Sequence, residues 1–168
     1  MRLRSKDVIL ILLSLALFSL VITPFLNPHG SFTSLDGTVG VIDHLDLWND
    51  SDPLTMITYL LGDVFCPQIM SRSFMLNGSQ MAFCMRDVSV LVGLIGGLVF
   101  SYTRSSRSIG LRTSILMAVC AFFILMMDWA IQHFTGVDVA ISRVLTGALF
   151  GFTLSCILSS YENLIRRM

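Results

Sequence analysis

Two cysteines and two arginines lie close together in the sequence, just ahead of a long hydrophobic run. Cys66 and Cys84 are separated by seventeen residues, Arg72 lies between them, and Arg86 and Asp87 follow. Guanidinium groups hold phosphates and carboxylates through paired N–H donors, and thiols form disulfides or bind soft metals. This segment therefore indicates a site, either for an anion or for thiol chemistry.

The cysteine spacing leaves several interpretations open. A bridge between Cys66 and Cys84 would close a loop of modest length and stabilise the fold by about 3 kcal/mol. Two buried thiols are the other structural interpretation. A redox-active pair is less favoured because the two cysteines lack the Cys-x-x-Cys spacing. A metal site that adds Asp87 or His133 lacks a recognisable ligand spacing, so neither a metal nor a cofactor is assigned.

Four hydrophobic runs must position these residues. Hydrophobic residues make up 54% of the 168 residues and charged residues only 13%, against about a quarter in soluble domains. Each run approaches the ~20 residues that cross a ~30 Å hydrocarbon core, where helices satisfy their own backbone. The chain is therefore predicted to be an all-α membrane protein with four transmembrane helices in one integral membrane domain, residues 1–168. The helices are expected at about 8–26, 85–103, 113–131 and 139–160. The second contains the apolar run Val88–Tyr102, which the Met81–Met85 segment is expected to extend at its N-terminal end.

Basic residues predict the direction in which the helices cross. Of eleven Lys and Arg residues, eight fall in three short segments, at 2–6, 104–112 and 166–167. The positive-inside rule places all three segments in the cytoplasm. We therefore expect a multi-pass protein of the cell membrane with both termini cytoplasmic and the lipid bilayer as its first partner. The basic residues form no stripe that would suit nucleic acid.

The segment 27–84 is the sizeable region between predicted membrane helices, and it is expected on the extracytoplasmic side. Asp52 and Pro53 look like a helix cap followed by proline at the first helical position. Apolar residues then recur at helical spacing, which predicts a short amphipathic helix at about 53–65. Because this helix is too short to span a bilayer, it is expected to lie at the membrane surface or to pack across the bundle.

Two pairs of small residues predict where helices approach closely. Gly93 and Gly97 lie four apart on the second predicted membrane helix, and Gly147 and Gly151 lie four apart on the fourth. Such pairs let two helix backbones come into contact. Close packing within one bundle is favoured over a seam between copies, and an oligomer through either glycine face is the alternative.

Further polar residues fall near the outer ends of the predicted helices. Asp128 and Gln132 lie one turn apart near the end of the third helix, and Arg143 lies about one turn into the fourth. An unpaired charge within the bilayer costs about 2.5 kcal/mol or more, so these side chains are expected to have partners. The carboxylates available to face Arg72, Arg86 and Arg143 are Asp63, Asp87 and Asp128.

The paired charges allow two interpretations. In the first, they are ion pairs that only fix the register of the helices. In the second, arginines beyond those needed for pairing hold an anionic group, since guanidinium forks suit phosphate and carboxylate. Pairing that is complete would favour the first interpretation, and an arginine with donors to spare would favour the second.

Across residues 60–152 the polar residues and glycines follow a recognisable order. They are Cys66, Gln68, Arg72, Ser73, Phe74, Gly78, Cys84, Arg86, Gly93 or Gly97, Asp128, Gln132, Gly136, Ser142, Arg143, Thr146, Gly147 and Gly151. This order resembles the small prokaryotic membrane proteins of domain-of-unknown-function family 2085. That family's pattern runs Cys-His-Gln, Arg-Ser-Phe, Gly and Cys-x-Arg-Cys, then Asp-Gly-x-x-Gln, then Arg followed by Thr-Gly and Gly. Pro67 replaces the family's histidine and Asp87 its last cysteine, so a metal or redox role is not carried over, and the resemblance brings no established activity.

These observations predict a polar site at the extracytoplasmic face. The site is expected to bind a small anionic ligand or an anionic lipid head group, with translocation of that ligand as an extension of binding. The alternatives are a membrane enzyme that uses thiol–disulfide exchange or a metal, and a structural or accessory subunit with an internal ion-pair cluster. The candidate ligand-binding residues are Cys66, Gln68, Arg72, Ser73, Cys84, Arg86, Asp87, Asp128, Gln132 and Arg143.

Overall fold

The computed structural model describes residues 5–35, 37–42, 44–49, 51–103 and 109–165. This part of the chain is mainly helical and also contains one antiparallel β-hairpin. The helices are α1 (Ser5–Leu26), α2 (Leu45–Asn49), α3 (Pro53–Phe65), α4 (Met85–Phe100), α5 (Leu111–Thr135) and α6 (Ala140–Ile165), and the strands are β1 (Ser73–Leu76) and β2 (Ser79–Cys84). A short 3₁₀ turn, Met70–Arg72, precedes β1.

The contacts divide the chain into two compact units. One unit comprises the described parts of Met1–Leu15 and Arg86–Met168, and it is called the helical unit below. The other comprises the described parts of Ala16–Met85, and it is called the hairpin unit. Each unit has its own core and its own candidate residues.

Among the described residues, three helices are long and apolar enough to cross a membrane. They are α1, α5 and α6, which contain 22, 25 and 26 residues. The sequence led us to expect a fourth in the same class, but α4 has 16 residues, which correspond to about 24 Å of helix rise. The chain is therefore a largely helical membrane protein, and three helices within its described ranges meet the length needed to span.

In the helical unit, glycines bring α4 and α6 into backbone contact. A Cβ added to Gly93 would lie 2.1 Å from the carbonyl oxygen of Ala148, and one added to Gly151 would lie 2.1 Å from the carbonyl oxygen of Val90. Real Cβ atoms cannot approach a carbonyl oxygen so closely, so only glycine fits at these two positions. The glycine pairs thus pack within one chain, which is the interpretation that the sequence favoured.

The same seam gives the direction of the two helices. Contacts advance by four residues on both helices at once, so α4 and α6 run parallel, and α5 connects the end of one to the start of the other. The hydroxyl of Ser155 adds a 2.6 Å hydrogen bond to the carbonyl oxygen of Leu94. The successive pairs are Arg86 with Gly147, Val90 with Gly151, and Leu94 with Ser155.

The hairpin unit is built around three aromatic rings. Trp48 from α2 and Tyr59 from α3 are fully buried and stack with their ring centroids 4.7 Å apart. Phe32 lies 4.5 Å from the Tyr59 ring. Burial raises the pKa of Tyr59 above its ordinary value, and the Tyr59 hydroxyl donates to the backbone carbonyl of Gln80 on β2. This core ties α2, α3 and the hairpin together.

Helix α3 begins where the sequence predicted and buries its polar side. The Asp52 carboxylate accepts hydrogen bonds from the backbone N–H groups of Leu54 and Thr55, at 3.0 and 3.1 Å, and Pro53 occupies the first turn. The buried residues of α3 are Thr55, Thr58, Tyr59, Gly62 and Asp63. Five large apolar residues of α3 are 37% to 66% exposed, and they are Leu54, Ile57, Leu61, Val64 and Phe65.

The β-hairpin corrects the prediction of an all-α chain. The segment Met81–Cys84, expected to extend the second membrane helix, lies in β2 instead, and the helix begins at Met85. The reason is the turn at Asn77 and Gly78, which have φ values of 50° and 70°. Two successive residues with positive φ form the turn that joins antiparallel strands with little strain, and Asn-Gly is the sequence that favours it.

Candidate functional site

Three helices of the helical unit meet at a polar cluster. Nη2 of Arg86, in the first turn of α4, donates to Oδ2 of Asp128 on α5 over 3.0 Å. Nε2 of Gln132, one turn further along α5, lies 2.8 Å from the other Asp128 oxygen and 2.9 Å from the Ser142 hydroxyl on α6. The hydroxyl of Thr146 lies 3.5 Å from Asp128 Oδ2. Asp128 is therefore the acceptor on which all three helices converge.

Gln132 also shapes the connection between α5 and α6. Its backbone carbonyl accepts from the N–H of Gly136, which ends α5 in the left-handed conformation at φ 68°. Its side-chain oxygen lies 3.4 Å from the backbone N–H of Val139, at the start of α6. One glutamine thus sets both the short turn and the orientation of the Asp128 carboxylate.

The second arginine of the cluster pairs with a carboxylate that the sequence did not single out as its partner. Nη2 of Arg143 donates to Oδ1 of Asp138, five residues earlier in the chain. Arg143 is only 4% exposed although it carries a full charge. The expected partners of the three arginines were Asp63, Asp87 and Asp128. Asp128 does pair with Arg86, whereas Arg143 pairs with Asp138.

Both arginines have an N–H group for which the described part of the chain offers no acceptor. These groups are Nε of Arg86 and Nη1 of Arg143, and both atoms are buried. A buried donor without an acceptor costs about 1–3 kcal/mol, and more when it is charged. Each guanidinium therefore has one edge bound to a carboxylate and one further donor that is not used by these residues.

We refer to this group of residues as the arginine–aspartate cluster. Its formal charges balance, with two arginines and two aspartates, while its hydrogen-bonding capacity does not. The arrangement suits a group that supplies acceptor oxygens, such as a phosphate or a carboxylate. The cluster consists of Arg86, Asp128, Gln132, Asp138, Ser142, Arg143 and Thr146.

The two cysteines of the opening motif lie together in the hairpin unit. The sulfur atoms of Cys66 and Cys84 are within 4.8 Å of one another, and both residues are present as thiols rather than as a disulfide. Cys66 follows the last residue of α3, and Cys84 is the last residue of β2. The sequence proximity of the motif thus becomes a contact between two different elements.

Gln68 serves the core of the hairpin unit. It is fully buried, with φ at 47°, and its Nε2 lies 3.3 Å from the carbonyl oxygen of Tyr59. Its own carbonyl accepts a 2.8 Å hydrogen bond from Gln80, whose side-chain oxygen in turn accepts from the N–H of Leu35 at 2.7 Å. Gln80, which is also fully buried, was not singled out from the sequence.

The remaining candidates have more local surroundings. The hydroxyl of Ser73 donates to the backbone carbonyl of Ile69 over 3.1 Å. Arg72 ends the 3₁₀ turn with its side chain partly exposed, and Asp87 lies in the first turn of α4. Asp63 accepts from the indole N–H of Trp48 over 2.8 Å and belongs to the aromatic core.

The ten candidates therefore fall into two sets. Those in the hairpin unit are Cys66, Gln68, Arg72, Ser73 and Cys84, and those in the helical unit are Arg86, Asp87, Asp128, Gln132 and Arg143. The members of the arginine–aspartate cluster that sequence reasoning missed as site residues are Asp138, Ser142 and Thr146. Thr146 carried a signal, because it lies three residues after Arg143 and therefore on the same face of the helix.

The family comparison covers most of these residues. A family model described as "Predicted membrane protein (DUF2085)" matches residues 66–157. The chain belongs to the DUF2085 family. The matched range begins at Cys66 and ends within α6, so it includes every candidate residue of this DUF2085 protein. No curated protein and no solved structure matches the chain.

Proposed function

We propose that this DUF2085 protein binds a small anionic group at the arginine–aspartate cluster. The group is a phosphate or carboxylate, either free or carried by a lipid head group. The single observation that carries the proposal is the buried Nη1 of Arg143, a charged donor with no acceptor among the described residues. An anion brings acceptor oxygens to such a donor without requiring the pair with Asp138 to break.

The surroundings of Arg143 support the same chemistry. Its guanidinium can form charge-assisted hydrogen bonds with phosphate and carboxylate oxygens, whereas the neighbouring hydroxyls of Ser142 and Thr146 already donate to the backbone carbonyls of Val139 and Ser142. Partial burial strengthens these interactions because the local dielectric constant is lower than in water. The backbone contact between α4 and α6 favours binding over translocation along that seam.

We further propose that α4 is a fourth membrane crossing. Its contacts with α6 advance in parallel over residues 86–97, and α6 is long enough to span. A helix packed in parallel along a spanning helix lies at the same depth in the bilayer. By the positive-inside rule, Arg112 at the start of α5 faces the cytoplasm, so the arginine–aspartate cluster faces outward and both termini face inward.

Single-cysteine labelling tests this topology. The two variants are Val137→Cys, between α5 and α6, and Gly110→Cys, at the opposite end of α5. Each substitution is made in a protein from which the native cysteines have been removed. We expect a membrane-impermeant maleimide to label the cysteine at 137 in intact cells, and to label the one at 110 only after lysis. The reverse pattern contradicts the outward orientation.

The apolar face of α3 is proposed to lie in the membrane surface on the outer side. A helix in water normally exposes its polar face, whereas α3 exposes Leu54, Ile57 and Leu61. The amide of Asn27, which follows the spanning helix α1, donates to the Thr55 hydroxyl over 2.9 Å, so α3 starts at the end of a membrane helix. A fluorophore attached to Ile57→Cys is expected to be quenched by brominated lipid. A fluorophore attached to Thr58→Cys, on the buried face of α3, is expected to be quenched less. Equal quenching of the two fluorophores contradicts the proposal.

Anion binding is tested on the full chain in nanodiscs of zwitterionic lipid. Inorganic phosphate and phosphatidylglycerol are added separately, and the melting temperature is followed with each, because a ligand that binds the native state raises it. Arg143→Gln removes the proposed donor, and Arg112→Gln is the matched control at the other end of the bundle. The expected result is about a tenfold weaker effect in the first variant, equivalent to about 1.4 kcal/mol, and an unchanged effect in the control.

The two probes also separate the sources of the anion. A response to phosphatidylglycerol alone indicates a lipid head group, and a response to both indicates a site open to free anions. An equal response in Arg143→Gln and the parent protein contradicts the proposal. If Arg143→Gln does not fold, Arg143→Lys keeps the charge without the planar fork and serves in its place.

A second candidate function is supported by the pairs themselves. Arg86 and Arg143 each already contact a carboxylate, as expected of a structural or accessory subunit in which ion pairs fix helix register. In that case neither probe raises the melting temperature, and replacing Arg86 and Asp128 together by Met and Leu leaves the protein folded.

A further inference from the structure

We propose that Cys66 and Cys84 form a reversible disulfide that joins α3 to the β-hairpin. This inference lies in the hairpin unit and does not depend on anion binding at the arginine–aspartate cluster. It assigns a redox modification site whose chemical partner is a disulfide-bearing molecule, such as an oxidised low-molecular-weight thiol or an oxidised protein dithiol.

The sulfur atoms are brought together by the way α3 runs along β2. The Tyr59 hydroxyl donates to the carbonyl of Gln80. One turn later, a Cβ added to Gly62 would lie 2.2 Å from the carbonyl oxygen of Ala82. These contacts advance along both elements, and the next step of the series is Cys66 beside Cys84.

The positions of both cysteines are fixed by their backbones. Cys66 caps α3, and its N–H donates to the carbonyl of Gly62 over 2.8 Å. Cys84 ends β2 opposite Ser73 in the hairpin ladder. The two sulfurs lie within 4.8 Å, and a disulfide requires about 2.05 Å. Rotation about the Cα–Cβ bonds moves a sulfur by more than this difference, so closure does not demand a rearrangement of α3 or β2.

Exposure gives the two thiols different roles. Cys66 is only 2% exposed, whereas Cys84 is partly exposed. Cys84 is therefore the group that an incoming disulfide reaches first. Cys66 lies behind it as the resolving thiol, protected from a direct encounter with large oxidants.

The reaction balances as two exchange steps. The Cys84 thiolate attacks one sulfur of R–S–S–R′, forms Cys84–S–S–R and releases R′–S⁻. The Cys66 thiolate then attacks the Cys84 sulfur, forms the Cys66–Cys84 bond and releases R–S⁻. The two cysteines lose two electrons and two protons in total, and the partner disulfide is reduced to two thiols. Reduced thiol in excess reverses both steps.

The test is a redox titration of the full chain in nanodiscs. The protein is equilibrated with mixtures of reduced and oxidised glutathione, quenched with acid, alkylated and analysed by mass spectrometry. We expect two thiols per chain to be lost together at oxidising ratios, a peptide pair that links residues 66 and 84, and full recovery of both thiols on reduction. Cys120→Ser, which removes an exposed thiol of α5, should leave this behaviour unchanged.

Single variants complete the design. Cys66→Ser should trap Cys84 as a mixed disulfide with glutathione, whereas Cys84→Ser should leave Cys66 largely unreacted. Three outcomes overturn the proposal: both thiols stay reduced at the most oxidising ratio, the two cysteines form only separate glutathione adducts, or the thiols become reactive only after a chelator removes a bound metal ion.

Discussion

The two units of this protein use buried polar groups in different ways. In the hairpin unit, Gln80 gives both ends of its amide to neighbouring backbone groups, at Leu35 and Gln68. In the helical unit, the polar side chains bind one another, and Arg143 keeps a charged donor that the described residues do not use. The difference separates a polar group that organises a fold from one that is suited to a ligand.

The contrast concerns charge more than completeness. The hairpin unit also contains two buried atoms without a hydrogen-bond partner among the described residues, the side-chain oxygen of Gln68 and Nδ1 of His44, and the latter lies 3.6 Å from Asp63. A neutral carbonyl oxygen left without a donor costs less than a buried cationic N–H without an acceptor. The hairpin unit is therefore compatible with a purely structural role, and the helical unit carries the stronger indication of binding.

The largest expected effect comes from a substitution in the core of the hairpin unit. Trp48→Ala should lower the free energy of unfolding of the hairpin unit by about 3–5 kcal/mol, because a fully buried ring leaves a cavity. Trp129→Ala is the matched control, since that ring is 48% exposed on α5. Limited proteolysis within the hairpin unit measures the effect. Equal protease sensitivity of the two variants would contradict the assignment of the core.

The next effect tests whether the charges of the helical unit act as a pair. Arg86→Gln or Asp128→Asn alone should each cost about 3 kcal/mol, because each leaves the other charge without its partner. The double variant should cost much less than the sum of the two, which a double-mutant cycle in denaturant measures. Additive costs would mean that the 3.0 Å contact between these groups does not contribute to stability.

A smaller effect addresses the seam between α4 and α6. Gly151→Ala should destabilise the helical unit by about 1–3 kcal/mol, because the added methyl group meets a backbone oxygen that cannot move aside. Gly96→Ala is the control on α4, since a Cβ there meets nothing within 4 Å. Thermal melts of both variants separate crowding from the general effect of replacing glycine. A melt of Gly151→Ala that matches that of Gly96→Ala would argue against the close approach.

The smallest effect concerns the helix cap of the hairpin unit. Asp52→Ala should cost about 1 kcal/mol. Partial burial opposes ionisation of Asp52, but hydrogen bonds from Thr55 and Leu54 outweigh it and lower the pKa of the carboxyl group. The cap therefore contributes above about pH 4, the unfolded pKa, and its contribution is lost as the pH falls through the lowered value. Melting temperatures of the two proteins should converge on acidification; a constant gap would contradict this.

The membrane helices and much of the polar cluster could be predicted from the sequence because their signals are local. Long apolar runs predicted α1, α5 and α6, and the one-turn spacing of Asp128 and Gln132 predicted their shared face. The partner of Arg143 could not be predicted in the same way, because Asp138 precedes the helix and reaches back to it. The division of the candidates between two units depends on long-range packing that no local pattern encodes.

The hairpin shows a different reason for a missed prediction. Asn77 and Gly78 form a dipeptide that favours a tight hairpin turn, but the flanking segments were assigned by hydrophobicity alone. Met81 and its neighbours are apolar and lie directly before the hydrophobic run that forms α4, so a continuous helix was the simpler interpretation. The Asn77-Gly78 dipeptide was the stronger sequence signal. The left-handed backbone that these two residues adopt forms a hairpin turn, which commits both flanking segments to strands.

The parallel seam between α4 and α6 has a consequence for how the chain is made. Arg86 leaves the ribosome 42 residues before its partner Asp128, a delay of about 2–8 s at ordinary rates of synthesis. During that interval α4 has neither its counter-charge nor the glycine surface of α6. Under the proposal that α4 crosses the membrane, the insertion machinery must retain a short helix with a charged first turn until α5 and α6 have been made. Biogenesis, and not only the stability of the finished protein, thus depends on the order in which these three helices emerge.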